Sequence, residues 1–211
     1  ITAQLPLLNR AQASEWQSFF TELKGPTNTF ALGDPDAKTP QGTYNGSNFT
    51  ASRVIDTGGS NVSIAVSGAN LTRSGAFANA YAGCYIHITG ATNETNNGTH
   101  KVASKTNNNT VVLDTAYSPS LVDETFNGKI RQNIKGSEGV HLTRTGSGSG
   151  TVKKGDYLGV LSSNSATATP KQLILVTEDA TVSGTNYSIK TEPKLRNDLT
   201  TGYFVTYSAP K

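Results

Sequence analysis

The chain has 211 residues, a formal net charge of +3, 35 % hydrophobic and 16 % charged residues, 21 glycines and a single cysteine. Sparse charge and regularly recurring apolar residues exclude a coiled coil and argue against disorder, and no apolar run reaches membrane-spanning length. One cysteine forbids an internal disulfide, and so small a charge excess gives no argument for a nucleic-acid partner.

The first predicted element lies between Leu5 and Gly42. Asn9 caps a helix by accepting from the Gln12 N–H, and Gln12 reaches back as in a capping box. Ala13, Trp16, Phe19, Phe20 and Leu23 then recur at helical spacing on one face, opposite Glu15, Gln17, Ser18, Thr21, Glu22 and Lys24. Gly25 and Pro26 end the helix. A lone helix of this length is marginal in water, so its aromatic face is expected to dock on a sheet. Part of that face, with Phe30, is also a candidate contact with a neighbouring subunit. A Thr-Phe strand follows and runs into a proline-rich turn, Thr39-Pro40-Gln41-Gly42.

Beyond Gly42 every signal is β. Val62–Val66, Tyr85–Ile88, Thr110–Leu113, Lys171–Val176 and Tyr203–Tyr207 read as strands. Asn45-Gly46, Gly58-Gly59, Asn97-Gly98, Asn127-Gly128 and Ser183-Gly184 read as turns. There is also an internal repeat. Leu71-Thr-Arg-Ser-Gly75 returns as Leu142-Thr-Arg-Thr-Gly146, from position 71 to 142. Gly83-Cys-Tyr-Ile-His-Ile88 returns as Gly155-Asp-Tyr-Leu-Gly-Val160, which sets Tyr85 against Tyr157, and Phe126–Arg131 faces Thr201–Thr206. Two copies at this spacing indicate paired modules rather than a solenoid. The expected organisation is a helix-containing part over 1–63, an inserted β module over 64–135 and a related C-terminal β module over 136–211. The junction falls at Asn133–Gly139, with a flexible Gly146–Gly150 loop after it.

Candidate chemistry is thin. Asp34-Pro-Asp36 supplies two carboxylates where a hard cation needs six or more oxygens, and reads as turn chemistry. His87, His100 and His141 lack zinc-ligand spacing. The Gly146–Gly150 loop fits no phosphate-binding pattern, and no serine sits in G-x-S-x-G. Cys84 lies in a strand, which favours a buried thiol over a nucleophile. The N-x-[ST] matches at Asn48, Asn61, Asn70, Asn93, Asn97 and Asn186 follow from a composition rich in Asn, Ser and Thr. No catalytic residue, metal or cofactor is expected.

Arg10-Ala-Gln-Ala13, the Trp16 and Phe19-Phe20 face, Gly25, Thr29–Asp36 and Thr39–Gly42 form one block of motifs. Lys154-Gly-Asp-Tyr-Leu158 and Glu192-Pro-Lys-Leu-Arg196 form a second. Together, over somewhat under half the chain, they resemble the distal tail protein family of tailed bacteriophages. The resemblance implies a mainly β (α+β) fold of small barrel or sandwich modules, with one amphipathic helix packed on a sheet. It implies a structural virion protein: a ring, as a homo-hexamer, at the distal end of the tail tube, joining the tube protein to tip or baseplate hub proteins. Assembly would take place in the host cytoplasm, without nucleic-acid recognition or membrane insertion. It also implies further strands before Ile1 and after Lys211; the segment Thr43–Gly139 lies outside the resemblance. The alternative is a carbohydrate-binding module that recognises a host receptor, with Tyr44, Tyr81 and Tyr117 as exposed platforms.

Overall fold

A computed structural model describes residues 40–46, 48–58, 60–161 and 170–207, all in the unit Asp36–Lys211. The expected helix with Trp16, Phe19, Phe20 and Leu23 lies outside the described residues, as do Phe30, Asp34 and Asp36. What is described is mainly β. Its one helical turn is a 3-10 turn at Glu94–Asn96, capped by the Asn93 side chain, which accepts from the Thr95 N–H.

Six strands, β2 (Val62–Ser67), β3 (Asn70–Thr72), β4 (Tyr85–Thr89), β5 (Gly98–Lys105), β6 (Thr110–Leu113) and β7 (Glu124–Arg131), close into an antiparallel barrel. Their order is β2-β3-β6-β5-β4-β7. Period-two alternation makes it so: Ile64 and Val66 on β2, Ile86 and Ile88 on β4, and Phe126 and Ile130 on β7 are buried in one apolar core.

A second barrel is built from β1 (Asn48–Ala51), β8 (Gly139–Arg144), β9 (Tyr157–Leu161), β10 (Pro170–Val176), β12 (Asn186–Glu192) and β13 (Phe204–Thr206). Its order is β1-β8-β12-β10-β9-β13, closed where Leu175 and Val176 pair with Glu192 and Thr191. A short β11 (Thr181–Ser183) adds to β12. Phe49, Leu142, Leu158, Tyr187, Ile189 and Val205 belong to its separate core.

The two barrels share one strand order. β2, β3, β4, β5, β6 and β7 of the first hold the places of β1, β8, β9, β10, β12 and β13 in the second. The repeated segments stand on matching strands: Leu71 on β3 and Leu142 on β8, Tyr85 at the start of β4 and Tyr157 at the start of β9. The first barrel is inserted between β1 and β8. Residues 136–211 therefore do not form a barrel alone, because β1, from the 1–63 part, lies between β8 and β13.

Two expected loops are corrected. Asn127-Gly128 is no turn: both residues lie inside β7, paired with Ser63 and Val62. Glycine is needed there because a Cβ would collide with the Thr89 carbonyl and the Phe126 ring. The Gly146–Gly150 segment is tied rather than free: Asn45 N–H donates to Ser149 O at 3.0 Å, and Ser149 N–H donates to Asn45 Oδ1 at 2.7 Å.

β4 of the inserted barrel packs against β8 and β12 of the other. β8 is buried on both faces, Val140 and Leu142 towards its own core and Gly139 and His141 towards the seam. A Cβ on Gly139 would overlap the Tyr85 side chain, so only glycine admits this approach. Tyr85 N–H donates to Ser188 Oγ at 2.9 Å. The two chain crossings are joined by adjacent amides. Gln132 Oε1 accepts from Val54 N–H at 3.0 Å and Ile55 N–H at 3.2 Å, while its Nε2 donates to Tyr85 O at 2.9 Å. Asn133 has a left-handed backbone, φ 57°, which asparagine tolerates. Its Nδ2 donates to Ser52 O at 2.8 Å and His141 O at 2.7 Å, and its Oδ1 accepts from His141 N–H at 2.7 Å. Every polar atom of both side chains is thereby used.

Candidate functional site

Where the barrels diverge beyond this seam they leave a cleft of about 650 Å³. The inserted barrel lines it with Asn97, Thr99 and Lys101 of β5 and its approach, and with Asp114, Ala116 and Tyr117 of the turn after β6. The other barrel contributes Glu138 before β8, Glu178 between β10 and β11, Lys190 on β12 and Lys194 beyond it.

The charges interleave across the gap. Glu178 accepts from Lys101 Nζ at 3.0 Å, Lys190 Nζ at 3.1 Å and the Tyr85 hydroxyl at 3.0 Å. Glu138 accepts from Lys194 Nζ at 2.8 Å and the Tyr117 hydroxyl at 3.3 Å, and its N–H donates to Thr99 Oγ1 at 3.0 Å. Tyr85 and Tyr117 meet edge to face at 5.6 Å, and Lys190 Nζ sits 4.7 Å from the centre of the Tyr117 ring.

These contacts set the protonation states. Burial pushes the Glu178 carboxyl up, but hydrogen bonds from Lys101, Lys190 and Tyr85 outweigh it and bring the group down to about 2. The Lys194 ammonium holds Glu138 below the usual carboxylate range, against a smaller opposing push from burial. Burial, reinforced by the neighbouring carboxylates, pushes both tyrosine hydroxyls well above their ordinary value. The carboxylates stay charged and the phenols stay protonated near neutral pH.

The residues singled out in the sequence are placed as follows. Tyr85 is buried at the seam, and Tyr157, its counterpart at the start of β9, is half-buried. Tyr44 is corrected from exposed platform to core: it stacks on Phe49 at 4.1 Å. Tyr81 is partly buried with its hydroxyl enclosed, and only Tyr117 lines the cleft. Cys84 is fully buried, and burial pushes its thiol up to about 11. His87 is half-buried against Thr99, 3.1 Å from Nδ1 to Oγ1. His100 lies inside the first barrel between Ser118 and the Asn96 carbonyl. His141 is at the seam beside Ser52. Among the described residues, no three or more His, Cys, Asp or Glu side chains are grouped to hold a metal ion. Lys101, Glu138, Glu178 and Lys190 were not singled out, and Lys194 only as part of the Glu192–Arg196 motif; Lys101 and Glu178 are 77 residues apart.

The last two residues of the first motif block meet the second block. Gln41 N–H and Gly42 N–H, from the first block, donate to the Asp156 carboxylate of the second at 2.5 and 3.2 Å. Lys153 N–H and the Tyr207 hydroxyl complete that carboxylate's partners, each at 2.7 Å. A Cβ on Gly42 would collide with the Thr151 carbonyl and the Tyr207 hydroxyl, which accounts for the glycine. No protein-family profile, no curated protein and no solved structure matches the chain.

Proposed function

We propose that this chain is a structural subunit of a bacteriophage tail, forming a ring at the distal end of the tube and seating tip or baseplate proteins. The observation that carries the reading is that Gln41 and Gly42, which end the first motif block, bind Asp156 of the second, more than a hundred residues away in sequence. Support also comes from the seam: buried amides join the two barrels into a frame suited to permanent contacts. In this reading the function is geometric. Each copy presents two different surfaces, closing a ring by heterologous contacts. The inserted barrel projects from the ring core. The chain has no catalytic role and acts in the virion. Electron microscopy and light scattering of the purified full chain test this. Closed rings of identical copies support the proposal, and a monomer that persists at high concentration overturns it.

A further inference from the structure

We infer that the cleft between the barrels is a binding site for a neutral saccharide. Its volume of about 650 Å³ lies within the ordinary range for small-ligand sites, roughly 300–1,000 Å³. Three ammonium groups, Lys101, Lys190 and Lys194, face three carboxylates, Asp114, Glu138 and Glu178, so the lining carries no net charge. An anionic ligand would have to unseat a glutamate from its lysines, Asp114 being the lining carboxylate outside these ion pairs. A polyhydroxylated ligand need not. Each sugar hydroxyl both donates and accepts, so it can slot between an ammonium with spare N–H groups and a carboxylate with spare lone pairs. The lysines each spend one N–H on a carboxylate of this cleft, and the Asp114 contacts to Ala116 and Tyr117 N–H all fall on one carboxylate oxygen.

The aromatic contribution is small, because Lys190 covers a face of Tyr117 and Tyr85 meets its edge. Binding is therefore driven by hydrogen bonds. The site does not depend on ring formation: it lies within one chain, so the two readings fail in separate experiments.

Saturation-transfer NMR on the full chain tests the inference, with glucose, galactose and N-acetylglucosamine as neutral probes and glucuronate and glucosamine as charged ones. Neutral probes are expected to take up saturation. Lys194→Ala, which removes a well-exposed donor, and Asp114→Asn, which keeps an acceptor for the turn, should each weaken binding about tenfold. Circular dichroism confirms that both variants are folded. The inference is overturned by no transfer to any neutral probe, by transfer unchanged in both variants, or by tighter binding of the charged probes.

Discussion

Replacing Gln132 with alanine strips three backbone groups of their partner at once. Ile55 N–H and Tyr85 C=O are buried, while Val54 N–H is partly open to water. An orphaned buried group costs about 1–3 kcal/mol. Two such groups give about 2–6 kcal/mol, and water reaching the loosened seam draws the total towards the lower half, about 3 kcal/mol. With an m-value near 2 kcal/mol/M, the urea midpoint should drop by about 1.5 M. Because Gln132 bridges the crossings, the variant should also uncouple the barrels, so that far-ultraviolet dichroism and tyrosine fluorescence no longer trace one transition. Gln132→Glu keeps the acceptor for Val54 and Ile55 but sets an oxygen against the Tyr85 carbonyl, so it should not rescue stability. A Gln132→Ala midpoint within about 0.3 M of the parent would refute the argument that this amide holds the seam.

Three further outcomes follow from the same geometry. Burial pushes His141 down to about 4, so its contribution to stability is complete above the unfolded value of about 6.5 and is lost as pH falls towards 4. Urea midpoints should fall across that window, and more gently in His141→Gln. Glu178, down at about 2, adds a later loss below the ordinary carboxylate range, visible as further acid weakening that Glu178→Gln removes. Cys84 should resist a thiol reagent at pH 8 in the folded protein and react at once in denaturant; rapid labelling of the native chain would contradict its burial.

The strands were legible where alternation was strong: Val62–Ser67, Tyr85–Thr89 and Thr110–Leu113 each show the period that places one face inward. The repeat was legible because matching strands of two similar barrels need similar inward residues, as Leu71 and Leu142 illustrate. Asn127-Gly128 misled because the same pair that favours a hairpin turn also serves a strand pressed against another backbone. β1 carries only four residues, so nothing local assigns it to a barrel whose other strands begin at Gly139. Asn133 read only as the start of the junction and Gln132 carried no reading, although their partners are backbone groups spread from Ser52 to His141. The cleft was hidden for a similar reason: its ion pairs join residues that come together only when the barrels dock.

The insertion has a consequence for synthesis. β1 emerges before its partners, and Phe49 must wait for Arg144, which is 144 − 49 = 95 positions later, and then for Val205. The inserted barrel is contiguous and can close while its host is still incomplete. Its closure brings Val54 and Gln132 to within 3.0 Å, turning a tether of about eighty residues into an effective one of about ten. By the logarithmic cost of loop closure this saves about 2 kcal/mol when β1 finally meets β8. The guest thus acts as an assembly jig for its host. Slowing translation between β7 and β8 should favour correct folding, whereas a guest that cannot close should strand β1 with its edges bare.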